Sequence, residues 1–164
     1  MFDPKKAHYI VATCIVVKDG KFLIAKRSEE EERWSGRWTV PGGKLEKDEY
    51  MKRPHDTKEG QWYNVFEDLV RREVKEEVGL DIKNIKYLTS LAFKREDGVP
   101  TIIVSLYADN DEGAITLSDE LTDYRWITIE EAENYDLIDG IYEELEMLDR
   151  VLKGEEIREW KKLD

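Results

Sequence analysis

The stretch Val65-Phe66-Glu67-Asp68-Leu69-Val70-Arg71-Arg72-Glu73-Val74-Lys75-Glu76-Glu77-Val78-Gly79-Leu80 decides how the rest of the chain is read. At about 100° of rotation per residue, Phe66, Leu69, Val70 and Val74 line one stripe of a helix. Glu73 and Glu77 fall inside that stripe, Glu76 sits on its shoulder, and Asp68, Arg71 and Lys75 take the far side. A carboxylate turned toward a core must be paired, protonated or bound to a cation, because burying it alone is very costly. Two like charges at i and i+4 also weaken a helix, by roughly 0.2–0.5 kcal/mol. Breaks of local rules concentrate at functional sites. Gly79 supplies the helix with its C-terminal stop.

On either side of this helix the sequence reads as strands. His8 to Val17 is rich in β-branched residues, and Asp19-Gly20 turns it tightly into a second strand, Lys21 to Ala25. A polar loop follows from Arg27 to Gly36, with the solvated run Glu29-Glu30-Glu31-Glu32. Trp38-Thr39-Val40 is a short strand expected to stop at Pro41-Gly42-Gly43, and residues 44 to 63 lack periodicity and read as a long loop. After the helix, strands are expected at Ile85 to Lys94, Thr101 to Tyr107 and Tyr124 to Ile127, with a helical turn at Ile129 to Glu133. From Ile138 to about residue 162 the tail reads as a helix, its stripe running through Ile141, Leu145, Leu148 and Leu152. Strands on both sides of a helix predict an α+β fold, an α/β/α sandwich with a mixed sheet between helices.

The 164 residues suit a single domain over 1–164, with 40% hydrophobic and 39% charged residues. A net charge of −12 argues against a nucleic-acid polymer as partner, since no Lys/Arg cluster is present to displace counterions. It leaves a small anionic substrate open, because bound divalent cations reverse the local field where carboxylates cluster. Cys14 is the only cysteine, so no intramolecular disulfide forms, which suits a reducing compartment. The apolar run Ile10 to Val17 is too short to span a bilayer and lacks a signal-peptide cleavage pattern. The expectation is a cytoplasmic protein with no membrane partner, as a monomer or homodimer. His8 and His55 have no zinc-site spacing.

Gly43-x5-Glu49 together with Arg72-Glu73-Val74-Lys75-Glu76-Glu77-Val78-Gly79-Leu80 resembles the Nudix box. The lead-in Trp38-Thr39-Val40-Pro41-Gly42-Gly43-Lys44-Leu45-Glu46 and the later Trp126-Ile127-Thr128-Ile129-Glu130-Glu131 are also similar to that MutT-like hydrolase family. Between Glu49 and Arg72 lie 22 residues where the family pattern has seven, an insertion of 15 at about 50–64. Such an insertion is thermodynamically mild, since closure entropy grows slowly with loop length.

The resemblance implies a Nudix fold and magnesium-dependent (Mg2+) hydrolysis of a nucleoside diphosphate linked to another group, with manganese (Mn2+) as a substitute. Magnesium prefers oxygen ligands and retains several waters, so a few carboxylates plus substrate phosphates suffice. By resemblance, Glu73, Glu76, Glu77 and the Gly42 carbonyl hold the metal, while Arg72 pairs with Glu49 to brace the loop against the helix. The resemblance also points to an acid in the loop before the late Trp as general base: Glu120, six positions before Trp126, or else Glu76, with a solvated loop residue beside Asp119 as the other reading of Glu120. Arg27 and Lys44 are candidates for phosphate contacts, with ordinary surface charge as the other reading. Trp62 and Tyr63 in the insertion, and Trp34, either stack on a base or cover the core; Trp38 is expected in the core.

Three functions compete. The first is hydrolysis of a nucleoside triphosphate to the monophosphate and pyrophosphate. The second keeps the chemistry but takes ADP-ribose or a dinucleotide polyphosphate. The third is a Nudix-fold module that binds a nucleotide without cleaving it. A purely structural alternative makes Glu73 and Glu77 partners of Arg or Lys side chains.

Overall fold

The computed structural model describes residues 1–157 and 159–162. After a 3-10 turn at Pro4–Lys6 come β1 (Tyr9–Lys18), β2 (Lys21–Arg27), β3 (Trp38–Thr39), β4 (Gly42–Lys44) and α1 (Lys47–Met51). Then follow α2 (Val65–Val78), β5 (Lys83–Lys94), β6 (Pro100–Asp109), β7 (Leu121–Ile127), α3 (Ile129–Ala132) and α4 (Ile141–Leu152). The strands form a seven-stranded mixed sheet in the order β3-β2-β1-β6-β5, with β4 paired to β1 and β7 to β2. Among the named strands of the described residues β1 and β6 pair in parallel, and the other pairings are antiparallel.

Alternation along the strands divides the interior in two. Ala12, Cys14 and Val16 of β1, with Leu23 and Ala25 of β2, face α2 and its Leu69, Val70, Val74 and Val78. Ile15 and Val17, with Phe22 and Ile24, face α4 and its Ile141, Leu145 and Leu148. The period of two thus places successive residues of one strand in opposite cores. This is the expected α/β/α sandwich. Among the described residues no helix is long and apolar enough to cross a membrane.

The hairpin between β1 and β2 turns on Asp19 (φ 51°) and Gly20 (φ 73°), both left-handed as a type I′ turn requires. The two strands are in register only near that turn, at Val17–Phe22 and Lys18–Lys21. Beyond it they part. The freed edge of β1 pairs instead with β4, Thr13 opposite Gly42 and Ala12 opposite Gly43. A cleft opens where the strands diverge.

Three expectations need correction. The strand Trp38–Thr39 does end before Pro41, but Gly42-Gly43 is not part of the stop, since Gly42–Lys44 forms a separate strand, β4. The segment 44–63 is not wholly loop, because Lys47–Met51 forms α1, too short to show periodicity. The C-terminal helix ends at Leu152 rather than near 162, since Lys153-Gly154 turns the chain, with Gly154 at φ 91°.

Candidate active site

Helix α2 brings the acids to the cleft. It starts after Asn64, carries Glu67 and Asp68 in its first turn and Lys75 in its last, and ends on Gly79 at φ 76°, whose N–H bonds to the Lys75 carbonyl. Acidic residues at the start and a cation at the end both complement the helix dipole. Burial of Leu69, Val70, Val74 and Val78 fixes its rotation, and this holds Glu73 and Glu77 toward β4.

Glu77 is largely buried, and the backbone N–H of Gly42 donates to its Oε2 at 3.1 Å. Burial pushes its pKa up to about 8; the Gly42 bond opposes this, Glu73 and Glu120 add to it, and Arg27 opposes it. Glu73 is 13% exposed and lies 2.7 Å from Arg72. Burial raises its pKa too, with Arg72 pulling it back and Glu76 and Glu49 adding to the rise. Arg72 is a hub, its guanidinium meeting Glu49, Glu73 and Glu76. The purely structural alternative therefore applies in part to Glu73, whereas Glu77 makes no ion pair among the described residues.

Glu76 stands apart from this pair. It was expected to reach the cluster from the side, but its carboxylate is 58% exposed and turned to Arg72 at 2.8 Å. Being on the stripe's shoulder, it finds solvent and a cation more readily than the cleft.

The cleft contains a cavity of about 180 Å³ whose lining includes Thr13, Arg27, Gly42, Glu77, Glu120 and Glu144. Arg27 is anchored at its rim by bonds to the Arg33 carbonyl (2.9 Å) and to Glu31 (3.0 Å). Glu120 is held at the mouth by a backbone bond from Ser28 N to its carbonyl at 2.8 Å. Lys44 is exposed and lines an adjoining space of about 420 Å³ with Arg27, Gly43 and Trp34. Trp34 is exposed and carries Arg33 over its ring at 4.5 Å. Trp38 packs edge-on against Tyr135 in the core on the α4 side. In the insertion, Trp62 meets Tyr50 at 5.5 Å and His55 at 6.1 Å, and its Nε1 donates to the Arg53 carbonyl. Those rings cover one another and α1.

The fit for a divalent ion can be judged from the glycines. A Cβ on Gly43 would run into the Glu73 carboxylate, and one on Gly42 would come within 2.5 Å of the Ala12 carbonyl. Only a bare backbone leaves room beside the two acids. Among the described residues no three His, Cys, Asp or Glu side chains gather closely enough to hold an ion by themselves. Two carboxylates beside bare backbone suit magnesium, which takes few protein ligands and completes its shell with water and phosphate.

Sequence reasoning passed over Glu144. It is 6% exposed, its Oε1 accepts from Ser105 Oγ at 2.8 Å, and burial raises its pKa. It sits three residues after Ile141 and one turn before Leu148, inside the apolar stripe of α4. The pattern that singles out Glu73 and Glu77 would have found it.

Comparison with known proteins agrees with this architecture. The family model described as NUDIX domain matches residues 55–149. The nucleoside triphosphatase NudI of Escherichia fergusonii is 25% identical over 134 residues, covering 75% of this chain and 84% of that protein. Among solved structures, the E. coli ORF135 protein superposes with a TM-score of 0.67 at 23% identity, covering 92% of this chain and 94% of that one. The NUDIX domain of Shewanella oneidensis NrtR, in a complex with ADP ribose, does so with a TM-score of 0.68 at 19% identity over the same shares.

Proposed function

The chain belongs to the NUDIX domain family, whose model spans more than half of it, and on that premise we propose that it hydrolyses a nucleoside triphosphate to the monophosphate and pyrophosphate. Family membership carries the broader reaction, hydrolysis of a nucleoside diphosphate-linked substrate. The observation that carries the finer reading is that Gly42, Glu77 and Glu120 line one cavity, at the divergence of β1 and β2. A relative that matches over most of both chains is named a nucleoside triphosphatase, which favours the same substrate class.

In this proposal Glu73, Glu77 and the Gly42 carbonyl hold the metal, and Glu76 joins them only by releasing Arg72. Bound there, magnesium, or manganese in its place, supplies neutralisation of phosphate charge and a more acidic water. Glu120 takes the proton of the attacking water, since it shares the cavity with Glu77 while Glu76 faces Arg72. Arg27 and Lys44 hold phosphate oxygens from the rim, Arg27 in a position fixed by Arg33 and Glu31. Arg72 keeps Glu49 and Glu73 in place as a structural support.

The test is a panel of nucleotides assayed with magnesium, following release of monophosphate and pyrophosphate. Nucleoside triphosphates should turn over fastest. Faster turnover of ADP-ribose or dinucleotide polyphosphates would move the protein to that substrate class, and binding without turnover anywhere would make it a nucleotide-binding module.

A further inference from the structure

We propose that Glu144, which lines the same cavity as Glu77 from the opposite side of the sheet, is a specificity-determining residue that hydrogen-bonds the edge of the substrate's heterocyclic base. This rests on the proposed function and deepens it by stating which part of the substrate the cavity takes.

The acids lining the cavity come from opposite sides of the sheet. Glu77 projects from α2, with Glu120 and Arg27 also in the lining, and charge there can be balanced by a cation. Glu144 projects from α4 and is 6% exposed. The lining also includes the apolar Val40, Leu91, Ile103 and Ile141. A flat, neutral ring suits such apolar lining, while a phosphate does not. The phosphates therefore belong beside Glu77 and the base beside Glu144.

The surroundings of Glu144 define what it offers. No Lys, Arg or His pairs with it among the described residues, and burial of a carboxyl without a cation favours its protonated form. Burial raises its pKa in agreement, with Ser105 opposing the rise and Glu143 adding to it. Thr13 Oγ1 donates to Ser105 Oγ at 3.4 Å, and Ser105 Oγ donates to Glu144 Oε1 at 2.8 Å. This chain fixes Oε1 as an acceptor, so that in the protonated form the O–H is on Oε2. A neutral acid so held presents one donor beside one acceptor. That pair complements the adjoining acceptor and donor on the edge of a purine or pyrimidine.

Three substrates and three variants test the proposal: a nucleoside triphosphate, its non-hydrolysable imido analogue, and deoxyribose triphosphate lacking a base, on Glu144→Gln, Glu144→Leu and Ser105→Ala. Glutamine reproduces the donor and acceptor of a neutral acid, so Glu144→Gln should stay within about threefold of wild type. Glu144→Leu should raise KM for the nucleotide, and Kd for the analogue, by roughly tenfold, the scale of one hydrogen bond. Its kcat, and both constants on the base-free triphosphate, should hardly change. Ser105→Ala, which frees the orientation of the carboxyl, should shift KM for the nucleotide alone by a few-fold; it serves if the leucine variant does not fold. Equal effects on nucleotide and base-free triphosphate would assign Glu144 a structural role and overturn the proposal, as would a leucine variant that binds the analogue like wild type. If no nucleotide is hydrolysed, the catalytic reading fails, yet the analogue's Kd still decides for or against Glu144.

Discussion

The backbone N–H of Gly42 donates to Oε2 of Glu77 across 3.1 Å, joining a three-residue strand to a helix acid 35 residues later in the chain. This bond places bare backbone against an acid whose proton affinity burial has raised. It exists because β1 leaves β2 after two register pairs and offers its edge to β4.

Adding a methyl group at either glycine should separate stability from activity. On Gly42 a Cβ meets the Ala12 carbonyl at 2.5 Å and Thr13 Cα at 2.9 Å, backbone atoms that cannot move aside. Gly42→Ala should lose about 1–3 kcal/mol in urea unfolding, the usual scale of overpacking. On Gly43 the obstacle is the Glu73 side chain, which can swing. Gly43→Ala should therefore melt near wild type while losing most of its turnover. Equal melting of both variants would contradict the arrangement.

The metal-free protein should become less stable as pH rises from about 4.5 to about 8, through Glu77. Its native pKa is raised above the ordinary 4.5, so the folded state keeps a proton that the unfolded chain has already lost in this window. Stability from this group is full below the lower value and is lost as pH climbs through the upper one, at up to ~1.4 kcal/mol per pH unit. Melting in a chelator from pH 5 to 9 measures it. Glu77→Gln should remove this part of the slope; an unchanged slope would refute the account of Glu77.

Arg72→Ala should loosen the segment before α2 more than it unfolds the protein. Arg72 is 37% exposed, so each of its pairs adds at most about 1 kcal/mol to stability. Losing it leaves Glu49, Glu73 and Glu76 without their common cation. Limited proteolysis should cut within residues 50–63 several-fold faster, with the melting temperature lowered only slightly. Lysine should restore this in part, having no planar fork to meet several carboxylates.

Cys14 should resist thiol reagents in the native protein. It is fully buried against α2, and burial pushes its thiol pKa up to about 12. Alkylation at pH 8 should follow the fraction unfolded in urea and be negligible without denaturant. Rapid labelling of the folded protein would show that the core on the α2 side opens.

Much of this fold is written in local patterns. The alternation of β1 and β2, the Asp19-Gly20 turn, the stripe of α2 and its stop at Gly79 each depend on residues a few positions apart. Gly42–Lys44 could not be read that way, because two glycines carry no pattern and their pairing with Ala12 and Thr13 is nonlocal. α1 has five residues, too few for a helical period to emerge. Within the site, Glu73 and Glu77 were visible as acids on an apolar stripe. Glu76 lay at the edge of that stripe, and only the ion pair with Arg72 decided its direction. Glu144 carried the same signal as Glu77, but its meaning depends on Ser105, which comes from β6, far from α4 in the chain.

The most direct test is a magnesium titration of nucleoside triphosphate hydrolysis in wild type, Glu73→Gln and Glu77→Gln, with melting curves to show that each variant is folded. Wild-type turnover should rise from nothing in chelator to saturation, and Glu77→Gln should remain folded while losing at least about 100-fold, the upper scale for disturbing a metal's support. Turnover in chelator equal to that in magnesium, or a folded Glu77→Gln as active as wild type, would contradict the claim that the acids of α2 hold the catalytic ion.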